Sequence, residues 1–171
     1  MDNKRYPKGK ALTAHIRALL ADIAASRGLT VWDIEYVREN GEMTLRVTID
    51  KAGGVSLEEC EGMHRASMAV IDADDPIEEG YTLEFTSPGL NRELRLPEHF
   101  EAYIGSPVLV GLYKQAHGIA AKKFTGKLIA QHDGALTVLP DEGYLPGGPA
   151  EIKLEKSEYT RVILIDAPEY L

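Results

Sequence analysis

A single cysteine, Cys60, stands in a chain of 171 residues. One thiol closes no internal disulfide, so stability has to come from an apolar core, and such sparing cysteine use fits a reducing cytosol; a cytoplasmic location is expected. No apolar run is long enough to cross a bilayer, and the polar opening MDNKRYPKGK lacks the apolar stretch of a secretion signal. Positive charge is not in excess either. A net charge of −8 excludes a uniformly basic coat for nucleic acid, although not a local basic patch. Nucleotide loops are absent: there is no Gly-x-x-x-x-Gly-Lys-Ser/Thr, no Gly-x-Gly-x-x-Gly, and no two glycines stand three apart to clamp an RNA backbone. His15, His64, His99, His117 and His132 are scattered, with no pair at the spacing of one helical turn. Asp72, Asp74 and Asp75 lack the glycine and the closing glutamate of a calcium loop. No metal and no cofactor is expected.

What is present reads as ordinary globular composition, with 44% hydrophobic and 27% charged residues. Leu12, Ile16, Leu19, Leu20 and Ile23 share one helical face, and Gly28 follows as a stop, predicting a helix over about 10–27. Trp32, Ile34 and Tyr36 alternate with acids. Met43, Leu45, Val47 and Ile49 alternate with polar residues, and Asn40-Gly41 between the two runs predicts a tight hairpin. Ser56 and Glu59 have the spacing of a reciprocal helix cap, opening a second helix with Cys60, Met63, Ser67 and Val70/Ile71 along its thin apolar face. Tyr81–Thr86 is a third strand. Helix, strand, strand, helix, strand predicts one sheet with both helices on one face.

After Pro97 the pattern changes. EHFEAYIG offers two helical turns with Phe100, Tyr103 and Ile104 on one side, and His99 on the polar side. VLVGLY, FTGKLIAQ, ALTVLP, EIKL and RVILID are short strands without helices between them, which predicts a small barrel. His132-Asp133-Gly134 is a hairpin turn, and KSEYT is a single tight turn of the kind found in SH3-like barrels. The expected class is α+β: an N-terminal αββαβ domain over 1–96, then a small all-β barrel over 97–171.

Ser87-Pro88-Gly89 raises the question of catalysis. A nucleophile elbow needs Gly-x-Ser-x-Gly, and Pro88 removes the backbone N–H that an oxyanion hole would use. A turn accounts for all three residues, so a hydrolase is disfavoured and no enzyme activity is expected. Charge is also uneven. Between Glu58 and Glu84 only Arg65 opposes the acids, and Glu58, Glu59, Glu61, Glu78 and Glu79 are candidates for contact with a basic protein. Lys114, Lys122, Lys123 and Lys127 lie in a segment without carboxylates and are candidates for RNA contact, with Arg92 and Arg95 beside them and Tyr113 and Phe124 near for stacking. A solvated loop is the plainer account of the lysines, and pairing with Glu93 and Glu98 that of the two arginines.

YTLEFTSPGLNRELRLPEHFEAYIGSPV followed by KKFTGKLIA resembles the RimP ribosome maturation factors, through Ser87, Pro88, Gly89, Leu90, Arg92, Leu94, Phe100 and Gly105. Residues 28–60 look like the family's hairpin and second helix. Asn91 and Glu93 depart from the family's usual aspartate and proline, and the loop from Lys114 to Lys122 is longer than its compact turn. The resemblance implies an Sm-like (SH3-like) C-terminal barrel. It also implies a monomeric, non-enzymatic factor for assembly of the small (30S) ribosomal subunit, bound to immature particles through ribosomal RNA and a basic ribosomal protein near the decoding region. Ser87, Pro88, Gly89, Leu90 and Arg92 then serve as the hinge between domains. The alternative is a general Sm-like module acting on free RNA.

Overall fold

The structure, a computed structural model, describes residues 9–166 and divides into two compact units, 1–88 and 89–171. In the first unit, helix α1 (Lys10–Ser26) buries Leu12, Ile16, Leu20 and Ala24, one residue per turn. It stops at Gly28, whose φ of +69° lets the amide of Leu29 reach back to the carbonyl of Ala24. Strands β1 (Thr30–Glu39) and β2 (Glu42–Asp50) pair antiparallel across Asn40 and Gly41, both in the left-handed region that such a two-residue turn needs. Helix α2 (Leu57–Asp74) starts at the Ser56/Glu59 reciprocal cap and crosses to β3 (Thr82–Thr86), which lies parallel to β2. The sheet order is β1-β2-β3. Leu45, Val47 and Ile49 from the sheet meet the α1 stripe and Met63 and Ile71 of α2 in one core.

The expected alternation of Trp32, Ile34 and Tyr36 fails at its first member. Between Val31, opposite Ile49, and Asp33, opposite Thr48, the register shifts at Trp32, and Val31 takes the core side with Ile34 and Tyr36. Arg17 of α1 explains why the bulge is tolerated. Its guanidinium donates to the carbonyls of Val31 (2.6 Å) and Trp32 (3.4 Å). Tyr36 has its phenol pushed up to about 12 by burial first and by the neighbouring Glu79 carboxylate second. The folded state therefore holds this proton more tightly than the unfolded chain, whose tyrosines ionise near their ordinary value of about 10. The stabilisation is complete below pH ~10 and is lost as pH rises to ~12. Tyr81 and Tyr159 are also raised, each by burial first, so an alkaline titration followed by phenolate absorbance should show several tyrosines ionising late, and Tyr36→Phe should remove the latest of these steps.

The second unit begins at Gly89, before the boundary at 96/97 expected from sequence, because residues 92–94 pair with its last strand. Leu94 donates its amide to Val162 (2.8 Å), and the amide of Leu164 donates to the carbonyl of Arg92 (2.8 Å). Helix α3 (Pro97–Ala102) buries Phe100 and, against the sequence reading, His99, whose Nδ1 accepts from the amides of Arg95 and Leu96 and so caps the helix. Ile104 falls beyond the helix and stays 48% exposed. Strands β4 (Pro107–Leu112), β5 (Lys123–His132), β6 (Ala135–Pro140), β7 (Ile152–Leu154) and β8 (Tyr159–Leu164) follow. They form one antiparallel sheet in the order β7-β6-β5-β4-β8, with Val108, Val110, Phe124, Leu128, Leu136, Val138, Leu154, Val162 and Leu164 buried on its inner face. Among the described residues no ladder joins β7 to β8, so the sheet curls without closing by strand pairing.

Candidate binding surfaces

The five glutamates picked from sequence do not form one face. Glu59 is spent locally: its carboxylate accepts from the amide of Ser56 (2.9 Å) and from Lys51 Nζ (2.5 Å), and Lys51 first, then Ser56, holds it below the usual carboxylate range. Glu58 and Glu61 sit exposed on the first turns of α2. Glu78 and Glu79 lie past the other end of α2, beside Asp72 and Asp75, around a hollow of about 570 Å³ that also touches Met68 and Tyr81. Asp74 is held by His15, Nε2 to Oδ2 2.6 Å, and Asp75 turns the chain out of the helix at φ +44°. The acidic triplet thus lies at the stop of a helix, while Glu58, Glu61 and Glu78 are exposed and Glu79 half-buried. Cys60, between the two groups, has its thiol pushed up by burial and then by Glu59, which keeps it protonated and unreactive near neutrality.

The lysine segment is ordered. His117 (φ +52°) and Gly118 (φ +82°) make a second tight turn between Ala116 and Ile119, and Ile119 is buried. The amide side chain of Gln115 donates to the carbonyl of Ala120 and closes the loop. Folding also brings in a carboxylate that the segment lacks. Glu158, from the turn between β7 and β8, meets His117 Nε2 at 3.0 Å and accepts from the amide of Glu155. Its pKa is lowered by that amide first, then by His117, with Lys114 adding attraction. Lys114 therefore faces a local counter-charge.

Lys123 and Lys127 differ. They stand on the outer face of β5, two residues to either side of Thr125. Lys123 lies opposite Gly111 on β4, and Gly111 lies opposite Arg161 on β8. Directly opposed residues point the same way, so Lys123 and Arg161 flank a position without a side chain, roughly 10 Å apart across two strand spacings. Arg161 is not among the residues that the sequence singles out. It is exposed next to buried Val162, past an irregularity in the register, and only the strand order puts it beside Lys123. Lys122, at the mouth of the loop, has its carbonyl accepting from the amide of Leu112.

The aromatic and arginine candidates separate as well. Phe124 is fully buried, edge-on to Tyr144 at 5.9 Å, and offers no stacking face, because an inward strand position places it in the core. Tyr113 is 63% exposed and does. Arg92 is partly buried, with Nε 3.9 Å from Asp166 and Nη1 3.4 Å from the hydroxyl of Tyr103, so Asp166 is an acid that reaches it. Asn91 takes the left-handed conformation (φ +50°) and its Oδ1 accepts from the amide of Asp166. An uncharged side chain there ties down the end of β8. Arg95 is exposed. The two compact units divide between Pro88 and Gly89, inside the stretch singled out as a hinge; Gly89 has φ +71° and Leu90 is exposed. Among the described residues no group of three His, Cys, Asp or Glu side chains is placed to hold a metal ion, and no helix is long and apolar enough to cross a membrane.

Residues 19–91 match the family model described as the RimP N-terminal domain. The match runs from the second half of α1 through β3 and ends just past Ser87-Pro88-Gly89. That domain is one of ribosome maturation factors.

Proposed function

From the premise that the chain is of the RimP type in its N-terminal unit, we propose that it is a maturation factor that binds immature small ribosomal subunits. The observation that carries this reading is the family match. The two kinds of surface agree with it. The first unit carries exposed acids suited to a basic ribosomal protein, and the second carries Lys123, Lys127 and Arg161 on one outer strand face, suited to the phosphates of ribosomal RNA. We read the second unit as an Sm-like barrel, in keeping with five short antiparallel strands coiled around one apolar layer. In this reading the two units, divided between Pro88 and Gly89, act through a connector at Ser87, Pro88, Gly89, Leu90 and Arg92, and the protein works as a monomer in the cytoplasm without catalysis.

Sedimentation of the tagged protein with cell ribosome fractions tests the proposal. Association with free small subunits and little with complete ribosomes is expected. Equal association with both, or with neither, overturns it. Tight binding of short unstructured RNA by the protein alone would favour a general RNA-binding module instead. Reversing Glu58, Glu61 and Glu78 to lysine should slow association with basic small-subunit proteins at low salt, chiefly through the on-rate. An unchanged rate would leave these acids a solubility device.

A further inference from the structure

Helix α2 and the outer edge of β3 enclose a trough. The 570 Å³ hollow described above and a second one of about 380 Å³ share His64 and Leu83 as walls, so they run end to end. Apolar side chains line part of it: Leu83 and Phe85 are only partly buried, and Leu57 and Met68 of α2 are 77% and 44% exposed; the smaller hollow is mainly apolar and the larger one mainly polar. His64 stands edge-on to Phe85 at 5.9 Å and divides the two hollows. Among the described residues β3 pairs with β2 alone, so its other edge presents main-chain donors and acceptors along the trough. The rim is acidic, with Glu61 at one end and Asp72, Asp75, Glu78 and Glu79 at the other, against Arg65.

We propose that this trough receives an extended, lysine- or arginine-rich segment of a partner protein, which adds as a strand to the free edge of β3. Alternate apolar side chains of that segment enter the two hollows beside Met68 and Leu57, and its cationic side chains meet the rim. The inference rests on the reading of the acidic unit as the side that faces a basic protein, and adds how that protein is held. Charge decides among occupants. RNA would bring phosphates to a carboxylate rim, and a second copy of the chain would bring a like-charged rim to this one; a basic strand alone is complementary. Main-chain bonds to the alternate residues of β3 whose N–H and C=O groups face the free edge supply affinity, and the alternation of pockets supplies specificity.

The probe is a synthetic eight-residue peptide alternating lysine and valine, with two twins, one N-methylated at every valine and the other at every lysine. Side chains are the same in all three; each twin has one edge unable to donate. Binding to the full chain is followed through its backbone amide resonances. The expected result is that the parent peptide shifts the signals of Leu83–Phe85 and that at least one twin binds about tenfold or more weakly. Met68→Lys, an exposed change that leaves the core untouched, should weaken the parent peptide about tenfold as well. Equal binding of all three peptides overturns strand addition. So does failure of the parent peptide to bind a chain that still sediments with free small subunits, and in that case the proposed function stands. Peptide binding by a chain that does not sediment with subunits supports the trough and overturns the function. Shifts at Leu83–Phe85 that grow with protein concentration in the absence of peptide would assign the edge to a second copy instead.

Discussion

Gly126→Ala should destabilise the second unit by about 3 kcal/mol, the upper end of what an added methyl costs in a packed interior. A Cβ at this position would stand 2.5 Å from the carbonyl oxygen of Leu139, 2.9 Å from Cα of Pro140 and 2.9 Å from Cγ1 of Val138. Two of the three atoms are main chain, so no rotamer change relieves the clash and strand β6 has to move. Gly126 is opposite Pro140, and two residues on, between Leu128 and Ala130, β5 carries a register shift. Glycine and bulge together let one strand bend hard enough to curl the sheet over Phe124 and Leu128. Gly147 is the matched control. It has an ordinary φ and open space around its Cβ position, so Gly147→Ala should shift stability by no more than about 0.5 kcal/mol. The measurement is urea unfolding followed by the amide signals of β5 and β6. Equal midpoints for the two variants would show that β6 does not press on β5 here.

The second large effect belongs to the cations on the outer strand face. Lys123→Ala with Arg161→Ala should weaken binding to free small subunits and flatten its dependence on salt by up to about two units of log–log slope, one for each phosphate left without its cation. Lys114→Ala should change the slope much less, because Glu158 already stands beside Lys114 and its turn partner His117. Lys122→Ala and Lys127→Ala test how far the surface extends on either side. The folded state should hardly notice the changes at Lys114, Lys123, Lys127 and Arg161, whose side chains are exposed. An unchanged salt slope in the Lys123/Arg161 pair would mean that this face only solvates the sheet, and RNA binding would have to come from Arg95 or from the first unit.

The contrast between Lys114 and Lys123 shows how far a linear reading of charge reaches. Both lie in a segment with no acid in it. One receives Glu158 from a turn forty-odd residues on, and the other receives Arg161 from the neighbouring strand but one. A sheet brings together residues that are far apart along the chain, and register decides which, so counter-charge and reinforcement cannot be told apart before the strand order is known. The same holds for Arg92, which an acid, Asp166, reaches from the far end of the unit. Glu59 went the other way: its local role as the return half of a helix cap was already legible three residues from Ser56, and that role removes it from the partner surface.

Local chemistry, then, is what the residues determined unaided. The α1 stripe, the two left-handed turns at Asn40-Gly41 and Asp133-Gly134, the stop at Gly28 and the cap at Ser56 all depend on atoms within a few residues of one another, and backbone sterics leave little choice at such sites. The resemblance through Ser87-Pro88-Gly89 was legible for the same reason, as a contiguous motif. Tertiary structure decided what depends on distant partners. It turned Trp32 out of the core through a bulge held by Arg17, buried His99 as a helix cap and Phe124 in the sheet, and began the second unit at Gly89 because Arg92 and Leu94 bond to β8. It also left β3 with one free edge beside an acidic helix, since a parallel strand delivered by a crossover helix ends the sheet wherever no further strand follows.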